Sequence, residues 1–416
     1  MDNEFDLLSA GHTAGHDLPL TFRWRSSSRA LRHLGLPEVK DSRYEDVRNA
    51  TLTEARLAAE VGQWVSFSRR KEYYARRSRY FGDAVSLRTV TAAVNQGTLA
   101  GLFEEDRARP GRRGRQSRLR ATSLLCEALE VCPQSKPPSE VIWLRDHIGL
   151  VDYEDTPLTR RMRSEIETIN RAMSSILINL NGSGVRKTDH QWIVDDIQVI
   201  PGPPHLRRVF SRGSFKKGGR AYGWYQVLPS RYRAIMTING EAVLEPDFAQ
   251  LHAQIIYALR GIPLDGDAYE TGEFSRDQGK MAFNVAVNAR SPRSAIGALM
   301  QNLKLEKRAA RKLLHSIVQK HKAIVDVFCS DLGVCLMKID SDIIIDAMLR
   351  CVASGIAALP IHDSIAVRAR DADQTAEIMM AAFATRLPKS SPCKVRIKKQ
   401  PVPQMEVDEQ KKRRSA

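Results

Sequence analysis

The chain has 416 residues, of which 43% are hydrophobic, so it is long enough for two or three folded domains and too apolar to be a disordered polymer. Lys and Arg outnumber Asp and Glu by 64 − 48 = 16, a surplus typical of proteins that bind nucleic acid or an anionic membrane surface. No apolar run approaches the roughly 20 residues that span a bilayer, and the acidic start Met1–Asp6 does not resemble a secretory signal. We therefore expect a cytoplasmic protein with a nucleic-acid partner and no membrane partner.

Residues 1–132 predict an N-terminal helical and winged-helix-like DNA-binding domain. Residues 86–99 form an amphipathic segment, and a strand is expected directly after it. The glycine-rich loop that follows carries Arg112, Arg113 and Arg115. Helix, strand, basic loop and strand is the order of a winged helix-turn-helix, in which a helix enters a groove while the loop reaches phosphates. A basic loop between two ordinary helices is the alternative.

Residues 133–204 are predicted to be mainly helical. A proline-rich boundary lies at each end of this region, at Pro133–Pro138 and at Pro201–Pro204. The C-terminal part is then predicted to be one domain, residues 205–400, followed by a basic tail, residues 401–416. The six cysteines contain no Cys-x2-Cys pair, so we do not expect structural zinc.

Two acidic sites stand out in the C-terminal part. Asp247 lies at the end of a predicted strand that follows an Asn-Gly turn, and Asp363 lies near the tip of a predicted hairpin. Carboxylates on adjacent strands can hold two divalent ions about 4 Å apart, which is an arrangement that phosphoryl transfer uses. Ordinary acidic residues at strand ends are the alternative.

A predicted helix between these sites carries two cations. Arg276 and Lys280 are four residues apart and therefore share one helix face, which Asn284 extends at the same step. Cations on such a face can bind a triphosphate. Further upstream, Arg220 lies in a glycine-rich segment whose backbone can approach a phosphate chain closely, although a flexible loop would have the same composition.

These motifs, in this order, resemble the palm and fingers of family A DNA polymerases and of the related single-subunit RNA polymerases of phages and mitochondria. Asp247–Leu251 reads Asp-Phe-Ala-Gln-Leu and is similar to the first palm motif, Asp-Tyr-Ser-Gln-Ile. Arg276-x3-Lys280 is similar to the fingers motif. His362-Asp363-Ser364 is similar to the last palm motif, and Gly219–Tyr222 is similar to an Arg-Gly-Arg-x-Tyr segment of the RNA enzymes. The resemblance covers about residues 210–390.

The resemblance implies a right-hand palm and fingers in the C-terminal part. Together with the winged-helix-like domain and a helical, thumb-like region, which match neither family, this predicts an α+β protein. It implies a template-directed nucleotidyltransferase, a DNA polymerase or primase-polymerase, that uses a DNA template, nucleoside triphosphates and two Mg²⁺ or Mn²⁺ ions. The implied roles are metal ligation by Asp247 and Asp363, orientation of the primer end by His362, triphosphate binding by Arg276 and Lys280, nucleotide contact by Asn284 and His252, and template contact by Arg220.

Some residues depart from the family pattern. Asn284 and Asn288 stand at positions where the family carries aromatic side chains, and His252 stands where the DNA polymerases carry a Glu that blocks a ribose 2′-hydroxyl. These departures keep two alternatives open: an RNA polymerase of the single-subunit type, and a non-catalytic DNA-binding regulator with a degenerate polymerase fold. The sequence leaves sugar preference, primer requirement and oligomeric state undecided.

Overall fold

The computed structural model describes residues 11–13, 17–109, 116–195, 197–388 and 393–398. The chain divides into two compact units. The first contains Met1–Arg208 and Tyr222–Val243, and the second contains Val209–Ala221 and Leu244–Lys399. The first unit thus includes both the residues 1–132 and the residues 133–204 that the sequence analysis treats as separate domains.

Helices are numbered here along the chain: α1 (Ser28–Arg32), α2 (Ser42–Ala59), α3 (Lys71–Ala75), α4 (Ser78–Phe81), α5 (Leu87–Leu99), α6 (Ser123–Ala128), α7 (Pro157–Met173), α8 (Ser230–Arg233), α9 (Leu251–Arg260), α10 (Arg276–Asn288), α11 (Pro292–Leu303), α12 (Lys307–Lys320), α13 (Gly333–Ala353) and α14 (Ala372–Arg386). Short 3₁₀ helices span Trp224–Val227, Lys322–Val327 and Ala369–Asp371.

Strands are numbered in the same way: β1 (Gly11–Thr13), β2 (Leu18–Pro19), β3 (Trp24–Arg25), β4 (Val65–Phe67), β5 (Phe103–Asp106), β6 (Ser117–Ala121), β7 (Gln134–Ser135), β8 (Ile142–Leu144), β9 (Ile178–Leu180), β10 (Val185–Lys187), β11 (Trp192–Val194), β12 (Ile197–Val199), β13 (Arg207–Ser211), β14 (Ser214–Tyr222), β15 (Met236–Ile238), β16 (Glu241–Phe248), β17 (Ala358–Ile361), β18 (Ser364–Arg368) and β19 (Val395–Lys398).

The protein is therefore a mixed α and β protein with several mostly antiparallel sheets, which agrees with the predicted α+β class at that level. The palm-and-fingers and winged-helix arrangements stay predictions. Within the described part of the chain, no helix is both long and apolar enough to cross a membrane.

In the first unit, a four-stranded sheet of order β2-β4-β6-β5 packs with α2 and α5 around a buried core. Helix α5 begins at Ser86, whose side chain forms a capping box with Thr89. A Cβ atom at Gly97 would lie 2.4 Å from the ring of Phe103, so the glycine lets α5 pack closely on β5. The predicted helix, strand and second strand are confirmed, and the loop with Arg112, Arg113 and Arg115 lies outside the described residues.

The strands beside that loop are not a simple cationic surface, because the acidic residues of β5 pair with arginines. The pairs are Glu104 with Arg120, Glu105 with Arg69 and Arg107, and Asp106 with Arg118. These arginines are neutralised within the sheet. Any cationic contact with a phosphate chain in this part of the first unit therefore depends on other basic residues.

Residues 133–204 differ from the helical region that the sequence predicted. They contain one long helix, α7, but otherwise form short strands from β7 to β12. Strands β10, β11 and β12 pair antiparallel with one another, and β12 pairs with β1. Strands this short are stabilised by pairing with one another or with a distant segment such as β1 more than by local propensity, so tertiary context decides their structure.

In the second unit, β17, β18 and the later part of β16 form a sheet, and β19 pairs with β16 as well. Helix α13 is buried along most of its length, with Ile343, Ala347 and Cys351 fully inaccessible. Beneath the sheet, Phe248 packs against Phe383 of α14 at a centroid distance of 6.1 Å. This core holds the ends of β16 and of the β17–β18 hairpin in place.

The hairpin that leads into β16 has the predicted Asn-Gly turn. Asn239 and Gly240 have φ angles of +52° and +81°, the left-handed values that a two-residue hairpin turn requires. Strand β16 then runs to Phe248, and α9 begins at Leu251, so the strand end at Asp247 and the helix after it are both confirmed.

Candidate active site

The structure brings the two predicted carboxylates together. Asp247 is the penultimate residue of β16, and Asp363 lies in the two-residue turn between β17 and β18. The amide of Phe248 donates a hydrogen bond to the Asp363 carbonyl at 3.4 Å, which fixes the turn beside the end of β16. His362, the other turn residue, has a φ of +57° and is exposed.

A buried hydrogen bond ties the two aspartate-bearing segments to each other. The Ser364 hydroxyl donates to Glu245 Oε1 at 2.7 Å, and both residues are at most 5% exposed. Glu245 lies two residues before Asp247, on the same face of the strand. This hydrogen bond therefore sets the position of the turn relative to β16. The sequence analysis missed Glu245, although its spacing of two from Asp247 on a strand was a usable signal.

The pair has the chemistry of a site for a hard divalent cation. The Asp363 carboxylate is half-buried and makes no hydrogen bond or ion pair with any described residue. Carboxylate oxygens are the ligands that Mg²⁺ and Mn²⁺ prefer. Among the described residues, no group of three or more His, Cys, Asp or Glu side chains is placed to hold a metal. Asp247 and Asp363 fit as a two-carboxylate ligand set that a substrate's own oxygens would complete.

Tyr269 lies in the electrostatic field of both carboxylates and was missed by the sequence analysis. Its ring is buried and packs edge-on against Phe283 at 5.6 Å. Burial, reinforced by the charges of Asp363 and Asp247, raises the pKa of Tyr269 to about 12. The hydroxyl therefore stays protonated at neutral pH and can donate a hydrogen bond next to the acidic pair.

The backbone before Tyr269 is held from two sides. The side-chain oxygen of Gln250 accepts a hydrogen bond from the Ala268 amide. The buried His321 donates from Nε2 to the Ala268 carbonyl at 2.8 Å, and its Nδ1 accepts from the Tyr257 hydroxyl at 2.9 Å. Burial lowers the pKa of His321, so the ring is neutral at neutral pH and can make both bonds.

Helix α10 packs directly on this segment. A Cβ atom at Gly279 would lie 1.9 Å from the Tyr269 carbonyl oxygen, so only glycine allows the observed approach. Ser275 caps the helix in a capping box with Gln278. The sequence predicted a helix from Arg276 onward, and the start of α10 confirms it.

The two predicted cations of α10 differ in their surroundings. Arg276 donates from Nε to Asp267 at 2.6 Å, and its guanidinium lies 5.3 Å from the Tyr269 ring centroid. Burial opposes ionisation of Asp267, but the hydrogen bond and charge of Arg276 and a hydrogen bond from the Tyr269 amide lower its pKa. Lys280 is exposed and makes no hydrogen bond or ion pair with any described residue. Arg276 is thus anchored, and Lys280 is available to a ligand.

The asparagines on the same helix have structural contacts. Asn288 Nδ2 donates to the Asn284 carbonyl at 2.8 Å. A Cβ atom at Gly333 would lie 1.7 Å from Asn288 Oδ1, so this side chain packs on the start of α13. Asn288 therefore contacts the start of α13 while it remains exposed.

A second polar cluster centres on Asp340, which is fully buried in α13. Its Oδ2 atom accepts from Arg220 Nη2 at 2.6 Å and lies 2.8 Å from His252 Nε2. A carboxylate that binds a guanidinium is ionised and can only accept, so His252 Nε2 carries the hydrogen. In the neutral ring, Nδ1 is then an acceptor. The structure thus brings together Arg220 and His252, which the sequence analysis predicted separately.

Two adjacent glycines allow β14 to pack closely on α13. Gly218 and Gly219 have φ angles of +73° and +85°, which favour glycine. A Cβ atom at Gly219 would lie 2.6 Å from the Phe210 ring, and the Gly219 carbonyl accepts from the Ser341 hydroxyl. This close contact allows Arg220, the next residue, to reach Asp340. No distinctive sequence signal marked Asp340, because Asp342 and Asp346 are acids of the same helix.

Strand β19 adds a cation that the sequence analysis also missed. Arg396 is directly opposite Asp247 in the antiparallel pair of β16 and β19, and its side chain is exposed. Cross-strand neighbours on one face lie close together. A positive charge therefore flanks the Asp247 carboxylate.

Comparisons with known proteins give little beyond this geometry. No family model matches the sequence, and no curated protein is similar to it. Among solved structures, the chain is similar to the POL domain of Pol1 from M. smegmatis in complex with DNA primer-template and dNTP, with a TM-score of 0.32 and 12% sequence identity. The match covers 90% of this chain and 69% of that chain. A TM-score of 0.32 does not establish a shared fold.

Proposed function

We propose that the second unit is a template-directed nucleotidyltransferase of the DNA polymerase type, in which Asp247 and Asp363 are the catalytic carboxylates. The observation that carries the proposal is the meeting of these residues at the ends of adjacent strands, next to Tyr269 and Arg276. They are more than a hundred positions apart in the sequence, yet the hydrogen bond from Ser364 to Glu245 holds their segments in register.

Asp247 and Asp363 are the residues that would hold two Mg²⁺ or Mn²⁺ ions. Bound there, such ions would favour deprotonation of the attacking hydroxyl and neutralise charge on the transferred phosphoryl group. The chain itself contributes rigid placement of the carboxylates. It also contributes Arg396, whose charge offsets some of the repulsion between two acids that lie close together.

Lys280 binds the triphosphate of the incoming nucleotide in this proposal, because it is exposed and carries no internal ion pair with a described residue. Arg276 is held by Asp267 over the Tyr269 ring and binds the same triphosphate from a fixed position. Tyr269 donates a hydrogen bond beside the carboxylates. Charge-assisted hydrogen bonds of this kind are stronger than neutral ones and fix orientation.

The Asp340 cluster supports a nucleic-acid and sugar contact. Asp340 fixes the His252 ring with Nε2 protonated, so that Nδ1 can accept a hydrogen bond from a sugar hydroxyl. Asp340 also fixes the Arg220 guanidinium, a cation of the kind that binds a template phosphate. In the same proposal His362 orients the primer end and Asn284 lies beside the nucleotide.

The first unit is proposed to bind duplex DNA as a winged helix. Its support is the element order α2, β4, α3 and α4, α5, β5, basic loop, β6, with β4, β6 and β5 in one antiparallel sheet. Because the arginines of the strands are ion-paired, the phosphate contacts fall to Arg112, Arg113 and Arg115 of the loop.

Two alternatives have support from a particular observation. The His252 imidazole in place of an acid favours an enzyme that accepts ribonucleotides, an RNA polymerase of the single-subunit type. Asn284 and Asn288 provide no aromatic ring on which a base could stack, which favours a DNA-binding regulator without catalysis.

Primer extension separates these functions. The full chain is incubated with Mg²⁺ or Mn²⁺ and a labelled template, with and without a primer, and with deoxynucleotides or ribonucleotides. A polymerase extends the primer with deoxynucleotides. An RNA polymerase prefers ribonucleotides, and a regulator binds DNA without incorporating either.

A further inference from the structure

The first unit encloses a cavity of about 150 Å³ that the proposed reaction does not use. Five Phe, Tyr and Trp side chains line it: Phe22, Trp24, Tyr80, Phe81 and Trp143. Polar groups from distant parts of the chain converge on the same space. Their sources are the β3 region, the segment before β8, and the start of β13.

Arg23 and Arg207 are the main cations of the lining. The Arg207 guanidinium lies 4.6 Å from the Trp143 ring centroid, and that of Arg23 lies 5.3 Å from the Trp24 centroid. Stacking on an indole face turns the edge of a guanidinium, which carries its N–H donors, away from the ring. Arg23 donates from Nε to Ser135 at 3.1 Å, and its Nη1 and Nη2 make no hydrogen bond with a described residue.

The described lining holds three cationic side chains and one carboxylate. Lys136, the third cation, pairs with Asp46 at 2.8 Å. The carboxylate of Glu54 accepts hydrogen bonds from the amides of Thr21 and Arg23 at 2.6 and 2.7 Å. Its charge opposes the lowering of the Arg23 pKa by burial and offsets one of the two arginines, so the cavity keeps an excess of one positive charge.

The two guanidiniums are close enough to influence each other. Burial and the charge of Arg23 lower the pKa of Arg207 to about 9, and burial lowers the pKa of Arg23 to about 10. Burial and Arg23 also lower the pKa of His205, so its ring is neutral at pH 7 and remains a hydrogen-bonding group. Holding two like charges in one cavity costs free energy unless an anion compensates them.

We propose that this cavity binds a phosphate monoester, with the guanidiniums of Arg23 and Arg207 on its oxygens and the aromatic walls around the adjoining group. A phosphate monoester carries about −1.5 to −2 charges at pH 7 and can match two cations, whereas a carboxylate can match one. Guanidinium edges fit phosphate oxygens in pairs. A cavity of this size accepts the phosphate and part of a ring, so a 5′-nucleotide or the 5′ end of a nucleic acid could supply the group.

Tryptophan fluorescence offers a direct readout, because all five tryptophans belong to the first unit. The full chain is titrated with inorganic phosphate and with deoxyadenosine 5′-monophosphate at fixed ionic strength, and fluorescence and melting temperature are followed. Chloride, acetate and deoxyadenosine serve as ligands without the phosphate. We expect saturable changes with the two phosphate compounds and none with the three controls.

Substitutions of the two cavity arginines test whether phosphate binds in the cavity. R23M and R207M should each weaken phosphate binding at least tenfold, and R207K, which keeps the charge but loses the paired donors, should weaken it less. R171M, at an exposed position on α7, is the matched control and should bind as the wild type does. Because removing a like charge can itself raise the melting temperature, the ligand-induced increment is compared within each variant. An increment that survives unchanged in R23M and R207M, or that R171M reduces equally, overturns the proposal.

Two further binding experiments identify the molecule that carries the phosphate. A 5′-phosphorylated oligonucleotide that binds more tightly than its 5′-hydroxyl form, and loses this preference in R207M, identifies a nucleic-acid end. A response to the mononucleotide without that preference identifies a free nucleotide, and equal affinity for inorganic phosphate identifies the phosphate alone. The D247N variant should respond like the wild type, so failure of the proposed polymerase function would leave this test unaffected.

Discussion

At the scale of single residues, the candidate site depends on groups that lie beside the motif residues. Glu245 and Ser364 hold Asp363 in place, Tyr269 places a neutral hydroxyl by the acidic pair, and Asp340 fixes His252 and Arg220. Residues that hydrogen-bond a reactive side chain decide where it points. A small error in its position can remove most of the catalytic rate.

Tyr269→Phe tests the hydroxyl alone. The ring keeps its packing on Phe283, so we expect an unchanged melting temperature. Loss of one hydrogen bond to a charged group should lower the single-turnover rate of nucleotide incorporation about tenfold or more. Equal rates in the variant and the wild type would show that the hydroxyl takes no part.

Asp340→Asn tests the buried carboxylate. It removes the ionised partner of Arg220 and His252, which we expect to cost roughly 1–3 kcal/mol of stability, because both partners keep some contact with water. It also frees the His252 ring, so the ratio of deoxynucleotide to ribonucleotide incorporation should change. Asp342→Asn is the matched control, since Asp342 pairs with Lys338 on the same helix.

The control variant should keep the wild-type sugar ratio. If Asp340→Asn loses stability while its sugar ratio stays that of the wild type, Asp340 supports the fold only, and the proposed contact of His252 with the sugar is wrong.

At the scale of elements, one helix and one loop define the nucleotide side of the site. Helix α10 carries Arg276 and Lys280 and packs through Gly279 on the backbone of Tyr269. The loop before it is pinned at Ala268 by Gln250 and His321. The position of the two cations therefore depends on how closely this helix and loop approach.

Gly279→Ala tests that approach. The added methyl group would overlap the Tyr269 carbonyl, so α10 must move, and we expect loss of stability together with at least tenfold slower incorporation. Gly297→Ala on α11 is the control, because a Cβ atom there meets nothing within 4 Å. It should stabilise the protein by about 0.5–1 kcal/mol. Wild-type activity in Gly279→Ala would mean that α10 need not contact this loop.

The pinning of the loop by His321 predicts a pH dependence. Burial lowers the pKa of His321 below its ordinary value of 6.5, so the unfolded state binds the proton more tightly than the folded state. Stability is therefore complete above pH 6.5 and falls as the pH drops towards the lowered pKa, by at most about 1.4 kcal/mol per pH unit.

Circular dichroism of urea unfolding between pH 7.5 and 5 measures this dependence. His321→Gln should be less stable at neutral pH and should lose part of the slope. The difference between the two proteins isolates His321 from other titrating groups such as His205. If stability depends on pH equally in the variant and the wild type, His321 is not a neutral ring that makes both hydrogen bonds.

Local sequence patterns predicted part of the candidate site. The strand end at Asp247, the hairpin at Asp363 and the start of α10 follow from alternation, turn residues and a cap, which act over a few positions. The bonds from Asp340 to Arg220 and His252 span 120 and 88 positions, and no local pattern specifies them. The short strands of residues 133–204 were missed for a related reason, since each spans only two or three residues and some, such as β12, also pair with a distant segment.

At the scale of the whole molecule, the net charge of +16 fits a protein with a polyanionic partner. The proposed division of labour gives DNA binding and a phosphate-binding cavity to the first unit and nucleotide transfer to the second. Each unit contains its own candidate residues, so their functions can be separated by substitution.

The most direct test of the central claim is metal-dependent primer extension by Asp247→Asn and Asp363→Asn beside the wild type. Each substitution keeps the size of the side chain but removes a charged ligand, so we expect incorporation to fall at least a thousandfold while the affinity for primed DNA changes little. Glu377→Gln on α14, which alters an exposed acid, should retain full activity. Incorporation at the wild-type rate by either aspartate variant, or none by the wild type with any nucleotide and metal, would contradict the assignment of Asp247 and Asp363 as catalytic carboxylates.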